Sequence, residues 1–316
     1  MRFMNSFNRF AGKWMPLIVF CCLTLGVLFH DAIGTLTFLV PYIFAFMTFT
    51  GALSASFRQV LDIARHPLPI VATFVIIHVM IPLFALGLGK LFFPGNPYLI
   101  TGSVLEYVVP TAVAASMWCA MAGGSASLTL SVLLIDTLAA PFVLPFSLHV
   151  LVGANIKIDV MGMMRDLIWM VALPALASMI INQCSGGRAG RKLTPILAPY
   201  GKLALILIIM INSTRVAPFI LHMTPILFGV TAVIFVLAVS GYAAGWLFAL
   251  LSRQKDDVVA SMSLACGMRN ISAGAVIAAA YFPPEVMFPV MIGTLFQQLL
   301  ASITTRLLIR RQKNPA

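Results

Sequence analysis

Residues 261–280 read SMSLACGMRNISAGAVIAAA, an apolar helical stretch with Arg269 near its middle. An arginine near the bilayer centre costs roughly 3 kcal/mol on insertion scales. Gly267 and Asn270 flank it, and both residue types loosen a helix and free backbone polar groups. Charge and irregular backbone are tolerated inside a membrane only against protein or a watery cavity. The combination points to a transport site at an interrupted helix.

The rest of the chain has the composition such a site needs. Of 316 residues, 61% are hydrophobic and 9% charged, against about 25% charged in a soluble domain. Apolar spans of membrane length fill nearly all of it, predicting ten helices near 15–32, 36–56, 67–93, 98–122, 126–151, 164–184, 198–215, 222–252, 257–282 and 285–308. The net charge of +11 is topological. Arg2, Arg9, Lys13, Arg58, Arg65, Arg188, Arg191, Lys192, Arg253, Lys255, Arg310, Arg311 and Lys313 fall on one side of such an arrangement. Lys90, Lys157, Arg165 and Arg215 fall on the other. This bias predicts an inner (plasma) membrane protein with both termini and the segment Gly186–Lys202 in the cytoplasm, and Asn155 outside. It also removes the case for nucleic acid as a partner. No cleavable signal peptide is evident. The cysteines, Cys21, Cys22, Cys119, Cys184 and Cys266, have neither disulfide nor metal spacing.

An internal repeat is faintly visible. The fourth span breaks at VVPTAVAAS (108–116), around Pro110, and the ninth at CGMRN (266–270). The two lie about 155 residues apart, as do Pro69-Ile70 and Pro225-Ile226, and paired interruptions at corresponding positions mark the binding site of secondary transporters built from inverted repeats. Five spans per half require the halves, 1–160 and 161–316, to insert with opposite orientation. Half-helix N-termini carry partial positive charge and attract anions.

The chain resembles the bile acid/sodium symporter family over nearly its whole length. FAFMTFTGALSASFRQV (44–60) is similar to the family's second-span ending, and HVLVGANIKIDVMGMMRDLIWMVALPALASMIIN (149–182) to the junction between its halves. The most specific match is Gly267-Met268-Arg269-Asn270, against a family Glu-x-Gly-Met-Gln-Asn. The resemblance implies an all-α membrane protein of ten transmembrane helices in inverted five-helix repeats. It implies a panel domain from helices 1, 2, 6 and 7, and a core domain from helices 3–5 and 8–10. Discontinuous helices 4 and 9 would cross at mid-membrane.

The departures from the family pattern bear on coupling. Where sodium-coupled members place a ninth-helix Glu and Gln as ligands, this chain has Ala265 and Arg269. The third-helix Gln is matched by His78, the fourth-helix Ser-Asn pair by Ala115-Ser116, and the fifth-helix Ser and Thr by Thr129 and Leu133. Only Ser116 and Thr129 keep side-chain oxygens at these residual sodium-site positions. A hard cation needs several oxygen ligands, and Arg269 repels one by about 4 kcal/mol at 4 Å with an effective dielectric near 20. Sodium is therefore not expected as a cofactor, while protons remain open. Asp136 lies seven residues from Thr129, hence on the same helix face. Arg269 and Asp136 read as a matched pair, either a structural lock or a pair that responds to substrate or proton. Glu106, one turn before Pro110, reaches the outer interface or is a second partner of Arg269. His78 is a hydrogen-bonded core residue or a titrating one. Arg215 reads as snorkelling to the interface.

These readings predict a secondary transporter of a small organic anion, a carboxylate or bile-acid-like molecule, working by alternating access in the bilayer without an obligate protein partner. Its substrate site would comprise Thr111, Ala112, Ser116, Arg269, Asn270, Gln297 and Gln298. Its coupling group would draw on Arg269, Asp136, Glu106 and His78. The alternatives are a sodium-coupled symporter with a degenerate site, or a receptor-like member that binds without transporting. A channel lacks a continuous polar lining here, and an enzyme lacks clustered nucleophile, base or metal ligands.

Overall fold

A computed structural model describes residues 2–55, 67–154 and 156–313. Arg58, Arg65 and Asn155 lie outside the described residues, as do the side chains of Arg2, Arg9, Lys13 and Lys313. Within the described residues the chain is helical, without strands. In order, the helices are α1 (Arg2–Leu28), α2 (His30–Ala52), α3 (Pro67–Phe92), α4 (Pro97–Val108), α5 (Ala114–Met121) and α6 (Ala126–Val152). They continue with α7 (Val160–Cys184), α8 (Arg188–Leu221), α9 (Pro225–Leu251), α10 (Asp256–Gly267), α11 (Ile271–Tyr281) and α12 (Pro284–Lys313). Seven of them, α2, α3, α6, α7, α8, α9 and α12, are long and apolar enough to cross a membrane. Large apolar side chains such as Phe38, Phe146 and Leu251 face outward, as a lipid-facing surface requires.

Both interruptions fall where the sequence places them. The expected fourth span stops at Val108 and resumes at Ala114, and the ninth stops at Gly267 and resumes at Ile271. Pro110 has no N–H and biases Val109 away from the helical region; Val109 is extended (φ −65°, ψ 154°). The segment Gly186–Lys202, expected as a loop between the spans 164–184 and 198–215, differs from that expectation. It is a tight turn followed by the first turns of α8, which begins at Arg188 and continues through Pro195 and Pro199. Gly187 supplies the start, with φ of 77°, a left-handed conformation that glycine adopts without steric cost.

Two π-helical turns, Ile76–Met80 in α3 and Ile168–Ala172 in α7, each precede a proline, Pro82 and Pro174. A proline cannot donate to the carbonyl four residues back. The wider turn lets Ile81 N–H reach Ile76 O and Leu173 N–H reach Ile168 O. In α3 that bulge carries His78.

The helices pack in two groups. α1 lies along α8, and α2 against α8 and α7; α4 packs on α3, α6 and α12, while α9 packs on α10 and α12. The groups meet chiefly where α11 and α12 touch α8 and where α6 adjoins α7. The α9–α10 seam is one of the close approaches. A Cβ on Gly245 would sit 2.5 Å from Met262 O, and one on Gly241 2.9 Å from Cys266 O, so the small-xxx-small pattern brings the backbones together. Gly245→Val is accordingly expected to destabilise by about 1–3 kcal/mol, the usual cost of overpacking. A melting curve of the purified variant in detergent superimposable on that of the parent would count against a tight seam.

Candidate functional site

The two interruptions meet. Thr111 and Arg269 form an antiparallel backbone bridge, with Ala112 N–H donating to Met268 O (3.0 Å) and Asn270 N–H to Pro110 O (2.7 Å). Two further N–H groups of the crossover are taken by side chains from the helix that follows each broken pair. Thr111 N–H donates to Asp136 Oδ2 on α6 (2.7 Å), and Arg269 N–H to Gln297 Oε1 on α12 (2.9 Å). Buried backbone donors without partners are costly, and these four contacts allow non-helical backbone to persist here.

The Arg269 side chain, 2% exposed, turns back along its own chain. Nη2 donates to Ala265 O (2.5 Å) and Cys266 O (3.4 Å) in the last turn of α10, and to Thr111 Oγ1 (3.3 Å). Nη1 donates to Val109 O, just past the end of α4 (3.4 Å). The guanidinium thus sits at the negative ends of two half-helices, where dipoles and unpaired carbonyls favour a cation.

Asp136 is fully buried and does not form a direct ion pair with Arg269. Its Oδ1 lies 2.9 Å from His78 Nε2, and its Oδ2 accepts from both the N–H and the hydroxyl of Thr111 (2.8 Å for the hydroxyl). Arg269 reaches it through Thr111. The expected pair is therefore a relay, because the guanidinium is drawn to the helix-end carbonyls on one side and Thr111 fills the space between. His78 stacks on Phe74, ring centroids 5.7 Å apart, and its Nδ1 is buried without a hydrogen bond.

The other expected residues divide. Asn270 caps α11, its Oδ1 accepting from Ala273 N–H (3.2 Å). Gln298 Oε1 accepts from Trp118 Nε1 (3.0 Å), and Tyr242 donates to Gln297 O (2.9 Å). The oxygens of Asn270 and both glutamines are thus committed to holding the crossover, while their residues also border a cavity. Ser116 bonds Val113 O, whereas Thr129 bonds Cys119 Sγ in a buried knot with Ser261. Thr111, expected in the substrate site, is 1% exposed and does not border the cavity. Glu106, 2% exposed, does not reach an interface. Its carboxylate packs on Gly293 of α12, where the missing Cβ makes room, and Oε2 has no hydrogen bond. Arg215 Nη1 donates to Ala279 O at the end of α11 (2.9 Å). At the same end Tyr281 donates to Asp166 Oδ2 on α7 (2.5 Å), tying α11 to both α7 and α8.

The cavity, about 450 Å³, lies between the two helix groups. One wall is α1, α2 and α8, with Met15, Thr50, Lys202 and Leu205; the other is the crossover and α12, with Ala112, Ser116, Asn270, Ser272 and Gln298. The charged residues that line it are Lys202 and Arg269, with no carboxylate among the described lining. Lys202 and Ser272 were not expected from the sequence. Read from sequence, that span begins near 198 and Lys202 counts as the end of the preceding basic segment, Gly186–Lys202. Among the described residues, no three His, Cys, Asp or Glu side chains gather as a metal site would need.

Comparisons with known proteins agree on a lineage. The model of the Sodium Bile acid symporter family matches residues 41–223. The Bacillus subtilis protein YbaS, described as uncharacterized, is 40% identical over 301 residues, 95% of this chain and 98% of its own. The uncharacterized sodium-dependent transporter YocS of the same organism is 21% identical over 306 residues, covering 96% and 93%. The probable sodium/metabolite cotransporter BASS1, chloroplastic, of Arabidopsis thaliana is 23% identical over 241 residues, 75% of this chain and 58% of its own.

Proposed function

This chain belongs to the sodium bile acid symporter family, a family of membrane transporters rather than enzymes, and on that premise we propose that it is a secondary carrier of an organic anion that does not use sodium. The observation that carries this is the cavity. Its described lining has a lysine and no carboxylate, and it borders the first turns of α5 and α11. A low-dielectric cleft of one sign concentrates the opposite charge, and the helix N-termini add to it.

Ten crossings result if each broken pair, α4/α5 and α10/α11, counts as one. The inverted repeat is supported by the matching roles of Asp136 and Gln297, each on the helix after a break and each accepting from the bridge residue of that break. The panel is α1, α2, α7 and α8, and the core is the remainder, in line with the two packing groups. The cavity borders Ser54 and Thr194, near the ends that carry Arg188, Arg191 and Lys192. By charge bias those ends are cytoplasmic, as are both termini. The opposite end of α11 is held shut by Tyr281 and Arg215, so this is an inward-open state.

Sodium fits poorly. Ala265 and Leu133 offer no side-chain oxygen, and the carbonyls at the ends of α4 and α10 are occupied by Arg269. The names of YocS and BASS1 favour the sodium-coupled reading for those proteins. Uptake into proteoliposomes of carboxylates ranging from pantoate to cholate, in sodium, potassium and choline salts at fixed pH, separates the two. Equal rates in all three salts are expected. A saturable sodium requirement overturns the sodium-independent carrier, and binding without uptake overturns transport.

A further inference from the structure

We propose that Lys202, on the α8 wall, takes the acidic group of the substrate, and that Arg269, for all its charge, does not touch it. This inference rests on the cavity being an anion site. The carbonyls of Ala265, Cys266 and Val109 and the hydroxyl of Thr111 hold both terminal nitrogens of Arg269. Its Nε is buried without a partner. The guanidinium therefore supplies field but presents no donor to the cavity.

The N-terminus of α11 is similarly committed. Ile271 N–H donates to Arg269 O, Gly274 N–H to Asn270 O, and Ala273 N–H to both the backbone and side-chain oxygens of Asn270. Among the groups the crossover wall still offers, beside Ser272, Gln297 and Gln298, is the amide nitrogen of Asn270, which makes no hydrogen bond among the described residues and suits a hydroxyl or carbonyl. Lys202 is the partly exposed cation of the lining, a compact charge on a flexible stem.

Lys202 and Asn270 stand on the two different helix groups. A substrate with its acid on Lys202 and its polar tail at Asn270 spans the gap between them. A ligand shifts a conformational equilibrium only through unequal affinity for the two states. A molecule that grips both groups feels any displacement of one against the other, whereas one held at the crossover alone does not. The geometry thus gives the substrate a means of driving the movement that carries it.

The test needs no known substrate. In protein with exposed Cys21 and Cys184 replaced by alanine, Ser116→Cys places a reporter thiol in the cavity. Its labelling rates with an anionic sulfonatoethyl and a cationic trimethylammonioethyl methanethiosulfonate are compared at low ionic strength, where screening is weakest. The anionic reagent is expected to be favoured. Lys202→Gln should lower the anion/cation rate ratio about tenfold, on the scale of one charge within the cavity, and Lys202→Arg should retain it. A ratio unchanged by Lys202→Gln overturns the proposal, as does failure of the anionic reagent to reach residue 116. Carboxylate uptake is scored separately. Lost selectivity with no uptake in the parent condemns the carrier reading alone, and intact uptake with an unchanged ratio condemns the role of Lys202 alone.

Discussion

Arg269→Met is expected to abolish transport and to destabilise the protein by about 3–5 kcal/mol, the range for removing one partner of a buried charge arrangement. The substitution strips the donor from Ala265 O, Cys266 O and Val109 O. It leaves two helix C-termini facing each other with unpaired carbonyls, and it isolates the Asp136 carboxylate behind Thr111. Arg269→Lys should fall between parent and Met, because an ammonium keeps the charge but cannot fork across three carbonyls and a hydroxyl. Arg269→Gln sharpens the case. If the guanidinium stands where an ion would, this variant should melt higher in sodium than in choline, while the parent is indifferent. Thermal melting and proteoliposome uptake of the three variants provide the check. A Met variant with parental melting and uptake would mean that the charge is dispensable.

Much of the crossover is legible in the sequence because its signals are local. Pro110 and the Gly267–Asn270 run end helices through their own backbone preferences, and the structure stops the helices at Val108 and Gly267. What those residues bond to is a tertiary matter. Helical spacing puts Asp136 and Thr129 on one face, but cannot say which buried cation each meets. Asp136 turns to His78 because a π-turn before Pro82 re-aims that ring, and Thr129 turns instead to Cys119. The depth of Glu106 is readable; its burial depends on a missing side chain at Gly293, nearly two hundred positions away. Lys202 escapes notice because it closes a basic run that reads as cytoplasmic, whereas α8 already begins at Arg188 and carries it to the cavity.

Asp136 provides the second large effect and tests whether the crossover is one electrostatic unit. Its carboxylate accepts from three donors, the Thr111 N–H, the Thr111 hydroxyl and His78 Nε2. Asp136→Ala strands all three, at about 1–3 kcal/mol for each buried group left unpaired, so loss of folded protein or of all uptake is expected. Asp136→Asn should be milder. Its oxygen can still serve Thr111, but its amide nitrogen faces His78 Nε2, which must then give up its proton to the unpartnered Nδ1. Pairing Asp136→Leu with Arg269→Met closes the argument. Charges joined through one hydroxyl, by contacts of 3.3 and 2.8 Å, attract by about 3 kcal/mol at an effective dielectric near 20, so the loss in the double variant should fall roughly that much short of the sum of the single losses. The cycle is read from denaturation free energies of the four proteins. Strict additivity would mean that the Thr111 hydroxyl separates Asp136 from Arg269 instead of joining them, and that the two charges stabilise their helices independently.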